Sequence, residues 1–324
     1  MLFHTLLHFV RGFAMGSADI VPGVSGGTIA LVLGIYERLI ASLRAGSKAL
    51  TLLLRRDASG FRSWLAAVEW AFLIPLGLGI LAAVLLLASL ISDQLHAQPE
   101  LMSAIFLGLV AGSVVVALRL IHRLRAQHGL IIAAVGVVTF VLLGVRGGTD
   151  EGSVVADPAL WAYFVAGAIA ICAMILPGIS GSFLLVMMGM YTPLLAATTD
   201  RDVVTLAVFM LGAVVGLALF SQLLHVALQR AHDLVLAGLI GLMAGSVRVL
   251  WPWPGGVEST ELGAPEGDWL MAIGLALVAF VVVMVVARYA QGLEAADEHP
   301  DVEPHEPAEP AESAAGDEPA EATT

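Results

Sequence analysis

Two stretches of this chain interrupt apolar sequence with the same small-residue pattern: Pro22-Gly23-Val24-Ser25-Gly26 and Pro177-Gly178-Ile179-Ser180-Gly181. A residue before proline is pushed out of the α region, so each pattern stops a preceding helix. The residues that follow, Ser25, Gly26, Gly27 and Thr28 in one copy and Ser180, Gly181 and Ser182 in the other, are suited to start a new helix, with serine as its N-cap. Amide N–H groups at a helix start, bordered by small side chains and a hydroxyl, can hold an anion. The alternative is that these glycines and serines only let helices approach closely, which is common in membranes. Two aligned copies, each with proline at the same place, favour the anion reading.

Ionisable residues near the breaks are few. Arg11 is the candidate phosphate partner, because its guanidinium fork matches phosphate oxygens, with an interfacial anchor as the alternative. Asp19 is either a proton-coupling carboxylate or a cap for the break, and both readings stay open here. Glu37 and Arg38 follow the first break and are candidates for coupling or gating, with a surface ion pair as the plainer reading. His4 and His8 share one helix face but lack a third ligand, so no metal site is expected, and no cofactor. The single cysteine, Cys172, excludes an internal disulfide.

The elements that must position these residues form a duplicated chain. Pro22, Gly23, Ser25, Gly26, Gly34 and Tyr36 align without a gap to Pro177, Gly178, Ser180, Gly181, Gly189 and Tyr191. Downstream, Leu107-Gly108-Leu109-Val110-Ala111-Gly112-Ser113-Val114 matches Ile240-Gly241-Leu242-Met243-Ala244-Gly245-Ser246-Val247. The expected units are repeats at 1–150 and 151–291, followed by a tail at 292–324. Apolar runs at 70–91, 101–118, 129–145, 203–224, 234–251 and 269–287 are close to spanning length. Each repeat thus reads as one broken hairpin followed by three transmembrane helices. A re-entrant hairpin fits, since irregular backbone survives at membrane depth where protein buries it. Two ordinary spans per hairpin is the rival. In either case an odd number of crossings inserts the second repeat upside down.

Composition agrees. Of 324 residues 59% are apolar and 13% are charged, against about 25% charged in a soluble domain, and the mean hydropathy is +0.91. So few charges cannot coat a water-facing surface, and the bilayer must cover most of it. The net charge of −12 comes from the tail, which holds eleven acids, five prolines and no Lys or Arg. That tail cannot build a core and is expected to be disordered. No nucleic-acid partner is expected. With 38–62 placed in the cytoplasm and sides alternated from there, the basic residues of 119–128, Arg230 and Arg288 also fall inside, while the outer segments are acidic. This is the positive-inside pattern, with both termini cytoplasmic.

The run from Arg11-Gly12-Phe13 through Asp19-Ile20-Val21-Pro22-Gly23-Val24-Ser25-Gly26-Gly27-Thr28 to Gly34-Ile35-Tyr36-Glu37-Arg38, with its partner at 176–191, resembles the undecaprenyl-phosphate (polyprenyl-phosphate) translocase family of bacteria and archaea. The resemblance covers about 1–290. It implies a transporter of the cytoplasmic membrane that returns the lipid carrier from the outer to the cytoplasmic leaflet for envelope synthesis; whether a proton or a sodium gradient drives it stays open in the sequence. Two rivals remain. Membrane lipid-pyrophosphate phosphatases use a similar motif with arginine where this chain has Gly26 and Gly181, and the charge stabilisation that phosphoryl transfer needs is absent beside the breaks. An ion-coupled carrier of a small soluble anion is the other; a site open sideways to lipid would argue against it.

Overall fold

The computed structural model describes residues 2–20, 24–145, 158–258 and 261–297. Within them the chain forms twelve α-helices and no strand: α1 (Leu2–Asp19), α2 (Gly26–Val32), α3 (Tyr36–Leu54), α4 (Ala58–Ala66), α5 (Trp70–Ala97), α6 (Pro99–Leu120), α7 (Ala126–Val145), α8 (Leu160–Ile175), α9 (Gly181–Met187), α10 (Tyr191–Thr199), α11 (Val203–Ser246) and α12 (Trp269–Asp297). Pro22 and Gly23, the 150/151 boundary and the tail from 298 lie outside the described residues. The helix α12 runs to Asp297 and so takes in the first six residues of the expected tail.

Five helices, α5, α6, α7, α11 and α12, are long and apolar enough to cross a membrane. Their outer faces carry large apolar side chains: Leu85, Leu130, Leu219 and Leu270 are each two-thirds or more exposed. Water would penalise such surface heavily, whereas lipid does not. The protein is a multi-pass membrane protein. α11 contains the apolar run expected at 203–224 and most of that expected at 234–251. At 44 residues it is about 66 Å long, twice the hydrocarbon thickness of about 30 Å. Ala231, at φ −147° and ψ 49°, breaks its helical geometry at the polar stretch Gln229-Arg230-Ala231-His232-Asp233.

Glycines set the helix pairs. A methyl group on Gly12 or Gly16 of α1 would strike the carbonyls of Leu76 and Ile80 on α5, and one on Gly212 or Gly216 of α11 would strike those of Phe164 and Ala168 on α8. With no hydrophobic drive between helices in lipid, such close backbone approach is a main source of packing energy. The second repeated motif does the same work with exchanged partners. Gly108 and Gly112 of α6 meet Ala276 and Val283 of α12, whereas Gly241 and Gly245 of α11 meet Val135 and Thr139 of α7. The last helix of each half therefore packs on the other half.

Each short helix after a Pro-Gly break ends abruptly. The Gly34 amide donates to the Leu31 carbonyl (3.2 Å) and that of Ile35 to Ala30 (3.0 Å); Gly189 donates to Val186 and Met190 to Leu185 (both 2.9 Å). These are Schellman closures, and they require a left-handed residue, which Gly34 (φ 72°) and Gly189 (φ 68°) supply. The stretch after each break is thus two helices. Between α9 and α10 the chain bends by 106°.

Candidate functional site

The segments that flank the two breaks meet. Ser25 caps α2, accepting from the Gly27 amide at 3.1 Å, and its hydroxyl donates to the Met174 carbonyl at 2.9 Å. The Tyr36 hydroxyl donates to the neighbouring Ile175 carbonyl at 3.2 Å. Both carbonyls belong to the last turn of α8, where no helical partner remains for them. In the other direction, the Gly178 amide donates to the Thr28 hydroxyl at 3.0 Å. A side chain at Gly27 would lie 2.6 Å from the Ile175 carbonyl, so the contact depends on glycine there.

The two copies of the motif are used differently. In the first, the Asp19 carboxylate accepts from the Gly26 amide at 2.6 Å, placing a protein anion on the leading N–H of α2. Of the two readings open for Asp19, the geometry matches the cap. Ser25, Thr28 and Tyr36 are all nearly fully buried. In the second copy Ser180 accepts weakly from the Phe183 amide at 3.5 Å and shares a hydrogen with the Ser182 hydroxyl at 2.8 Å. The amides of Gly181 and Ser182 make no hydrogen bond to a described residue. Ser182 is exposed, and Tyr191, the counterpart of Tyr36, is 43% exposed. The first break is closed by its own side chains, and the second is open. With seven residues each, α2 and α9 carry little macrodipole, so the second break offers a ligand amides and hydroxyls rather than a long-range field.

An apolar cavity of about 590 Å³ borders the second break. Ile179, Leu184 and Met187 of the break form one wall, α7 contributes Val138 and Leu142, and α11 contributes Leu242. Val138 and Leu142 are more than half exposed on the lipid-facing side of α7, so the cavity lies at the lateral surface.

The other expected site residues fall elsewhere. Arg11 is buried on α1 beside Gly12, at the contact with α5. Glu37 and Arg38 do not pair with each other. Arg38 forms a two-pronged bond to Glu69 (2.6 and 2.9 Å) and lies over the Phe72 ring, while Glu37 bonds the His232 ring at 2.8 Å. Nothing in local sequence connects Glu37 to a residue 195 positions away.

The profile of the undecaprenyl phosphate translocase-like family matches residues 15–264, which includes both breaks. The chain belongs to that family. Two relatives align along almost their whole length. A polyprenyl-phosphate transporter of Vibrio cholerae is 35% identical over 304 residues, covering 87% of this chain and 96% of the relative. One of Staphylococcus aureus is 28% identical over 296 residues, with the same coverage. No solved structure matches the chain.

Proposed function

We propose that this chain transports a polyprenyl phosphate across the membrane, with the headgroup held at the second break and the prenyl tail beside it. The observation that carries this reading is the apolar cavity along Ile179, Leu184 and Met187, whose lining residue Ile179 directly precedes Ser180, Gly181 and Ser182 in the chain. A phosphomonoester needs donors shielded from bulk water, and a prenyl chain needs apolar surface open to lipid. Those two features stand side by side here. The naming of both relatives as polyprenyl-phosphate transporters supports the same substrate class. A small soluble anion would have no use for the apolar wall.

The finer reading is undecaprenyl phosphate moved from the outer to the cytoplasmic leaflet of a bacterial or archaeal cytoplasmic membrane, with both termini cytoplasmic. The positive-inside charge pattern supports that orientation. The two halves are inverted repeats, a reading supported by the two aligned motifs of the sequence and by the reciprocal packing of α6 on α12 and α11 on α7. Arg11 and the first break complete the headgroup site when the breaks move, and a proton or sodium gradient drives the step.

The test uses the full chain in sealed vesicles with labelled polyprenyl phosphate, following its exposure on each leaflet. The chain should accelerate redistribution between leaflets. Leu142→Trp, which fills the cavity from its lipid-exposed side, should weaken lipid binding at least tenfold, equivalent to about 1.4 kcal/mol. Unchanged binding, or equal competition by inorganic phosphate, would refute the tail site and favour a soluble-anion carrier.

A further inference from the structure

Among the described residues, one cluster outside the two breaks gathers metal-ligating atoms. His122 lies in the turn after α6, and His232 and Asp233 lie at the kink of α11. The nearer Asp233 oxygen sits 3.0 Å from the His122 Nδ1 and 3.1 Å from the His232 Nδ1, and the three ligand atoms are all within 4.8 Å of one another. We propose that His122, His232 and Asp233 form a binding site for a zinc-class divalent cation, tying the α6 turn to the α11 kink.

The spacing fits. Zinc takes histidine nitrogen and carboxylate oxygen at about 2.0–2.2 Å, which sets tetrahedral ligand atoms roughly 3.3 Å apart. The two separations from Asp233 are already close to that edge, and a small opening of the pair of rings admits the ion. The donor set suits zinc, cobalt or nickel, and lacks the oxygen-rich shell that calcium or magnesium needs. The support behind the ligands is also present. The far ring nitrogen of His232 bonds the Glu37 carboxylate at 2.8 Å, the arrangement that fixes a ligating imidazole's orientation and raises its basicity. The Asp233 carboxylate is steadied by the amides of His122 and Arg123, at 3.3 and 3.4 Å.

Access and charge are compatible with binding. The trio lines an open cavity of about 460 Å³, so a water or an anion can complete the coordination. Arg123, Arg125 and Arg230 also line it, but all three are exposed, where salt screens their repulsion of the ion. The ligands come from points 110 residues apart, which is why no spacing motif announces them. With Glu37 behind His232, a bound ion would hold the start of α3, the end of α6 and the kink of α11 in one arrangement.

The test is zinc titration of the purified full chain after chelator treatment, by calorimetry, with cobalt absorption reporting the coordination geometry. The chain should bind one zinc in a tetrahedral environment and unfold at a higher temperature with zinc than without. His122→Ala removes a ligand that is three-quarters exposed and leaves the fold intact; it should weaken this site at least a hundredfold. Glu37→Gln, which touches no metal, should weaken it about tenfold. Histidines outside the cluster set a background measured in the double variant His122→Ala/His232→Gln. If the unsubstituted chain binds no more zinc than that double variant, the site is a hydrogen-bonded latch only and the proposal falls.

Discussion

At the scale of single residues, identical side chains do different work in the two breaks. Ser25 and Tyr36 are consumed capping the carbonyls that end α8, while Ser180 and Tyr191 have no such task. Asp19 accounts for much of the difference, since its carboxylate occupies the leading amide of α2 and no acid stands at the same distance before the second break. Asp19→Asn keeps an acceptor at this place and should leave thermal stability nearly unchanged. Asp19→Ala removes it, and should lower stability by about 1–2 kcal/mol, as lost caps and orphaned buried amides do. Thermal unfolding of the two variants in detergent distinguishes the cases. Equal loss in both would instead make the charge itself essential, as proton coupling requires.

Among elements, the decisive feature is how closely helices approach. Gly108 and Gly241 occupy the same place in the repeated motif, yet one meets the Ala276 backbone on α12 and the other Ile132 and Val135 on α7. A side chain at either forces two helices apart. Gly108→Leu should destabilise the protein by more than the 1–3 kcal/mol typical of overpacking, because only the Ala276 backbone stands in the way, and Gly241→Leu, which meets the Val135 side chain as well as the Ile132 carbonyl, should cost about 1–3 kcal/mol. Gly77→Leu and Gly238→Leu are the controls, since nothing lies within 4 Å of a methyl group at either place. The measurement is the yield of monodisperse protein after heating; the control pair should match the unsubstituted chain.

For the whole molecule, exchange of the last helices means that neither half can bury its own surface. α7 ends the first half but packs on α11, and α12 ends the second half but packs on α6. Contacts between the breaks, Ser25 to Met174 and Gly178 to Thr28, add to the interlock. Residues 1–150 or 151–324 expressed alone should therefore be degraded or aggregate. The two pieces expressed together should assemble and co-purify. Stable, monodisperse expression of one piece by itself would show that the exchange does not govern folding.

Sequence alone determined a great deal, because a membrane makes composition and order unusually informative. Charge-free runs of about twenty residues have one stable outcome in lipid, a helix, so the all-helical, multi-pass character was legible before any coordinates. Proline and glycine at matched positions marked both breaks, and the serines after them were correctly read as N-caps. The second interruption, at Gly34 and Gly189, was visible as an aligned pair but not as a helix end, since a lone glycine signals a Schellman closure only once its backbone angle is known. What only the tertiary structure decided were the pairings between distant segments: which half each last helix joins, which break is closed, and that Glu37, His122, His232 and Asp233 stand together. Local sequence sets where helices begin and end through short-range sterics and capping. Which faces then meet is a competition among all helices at once, and small residues permit many close approaches without naming their partner.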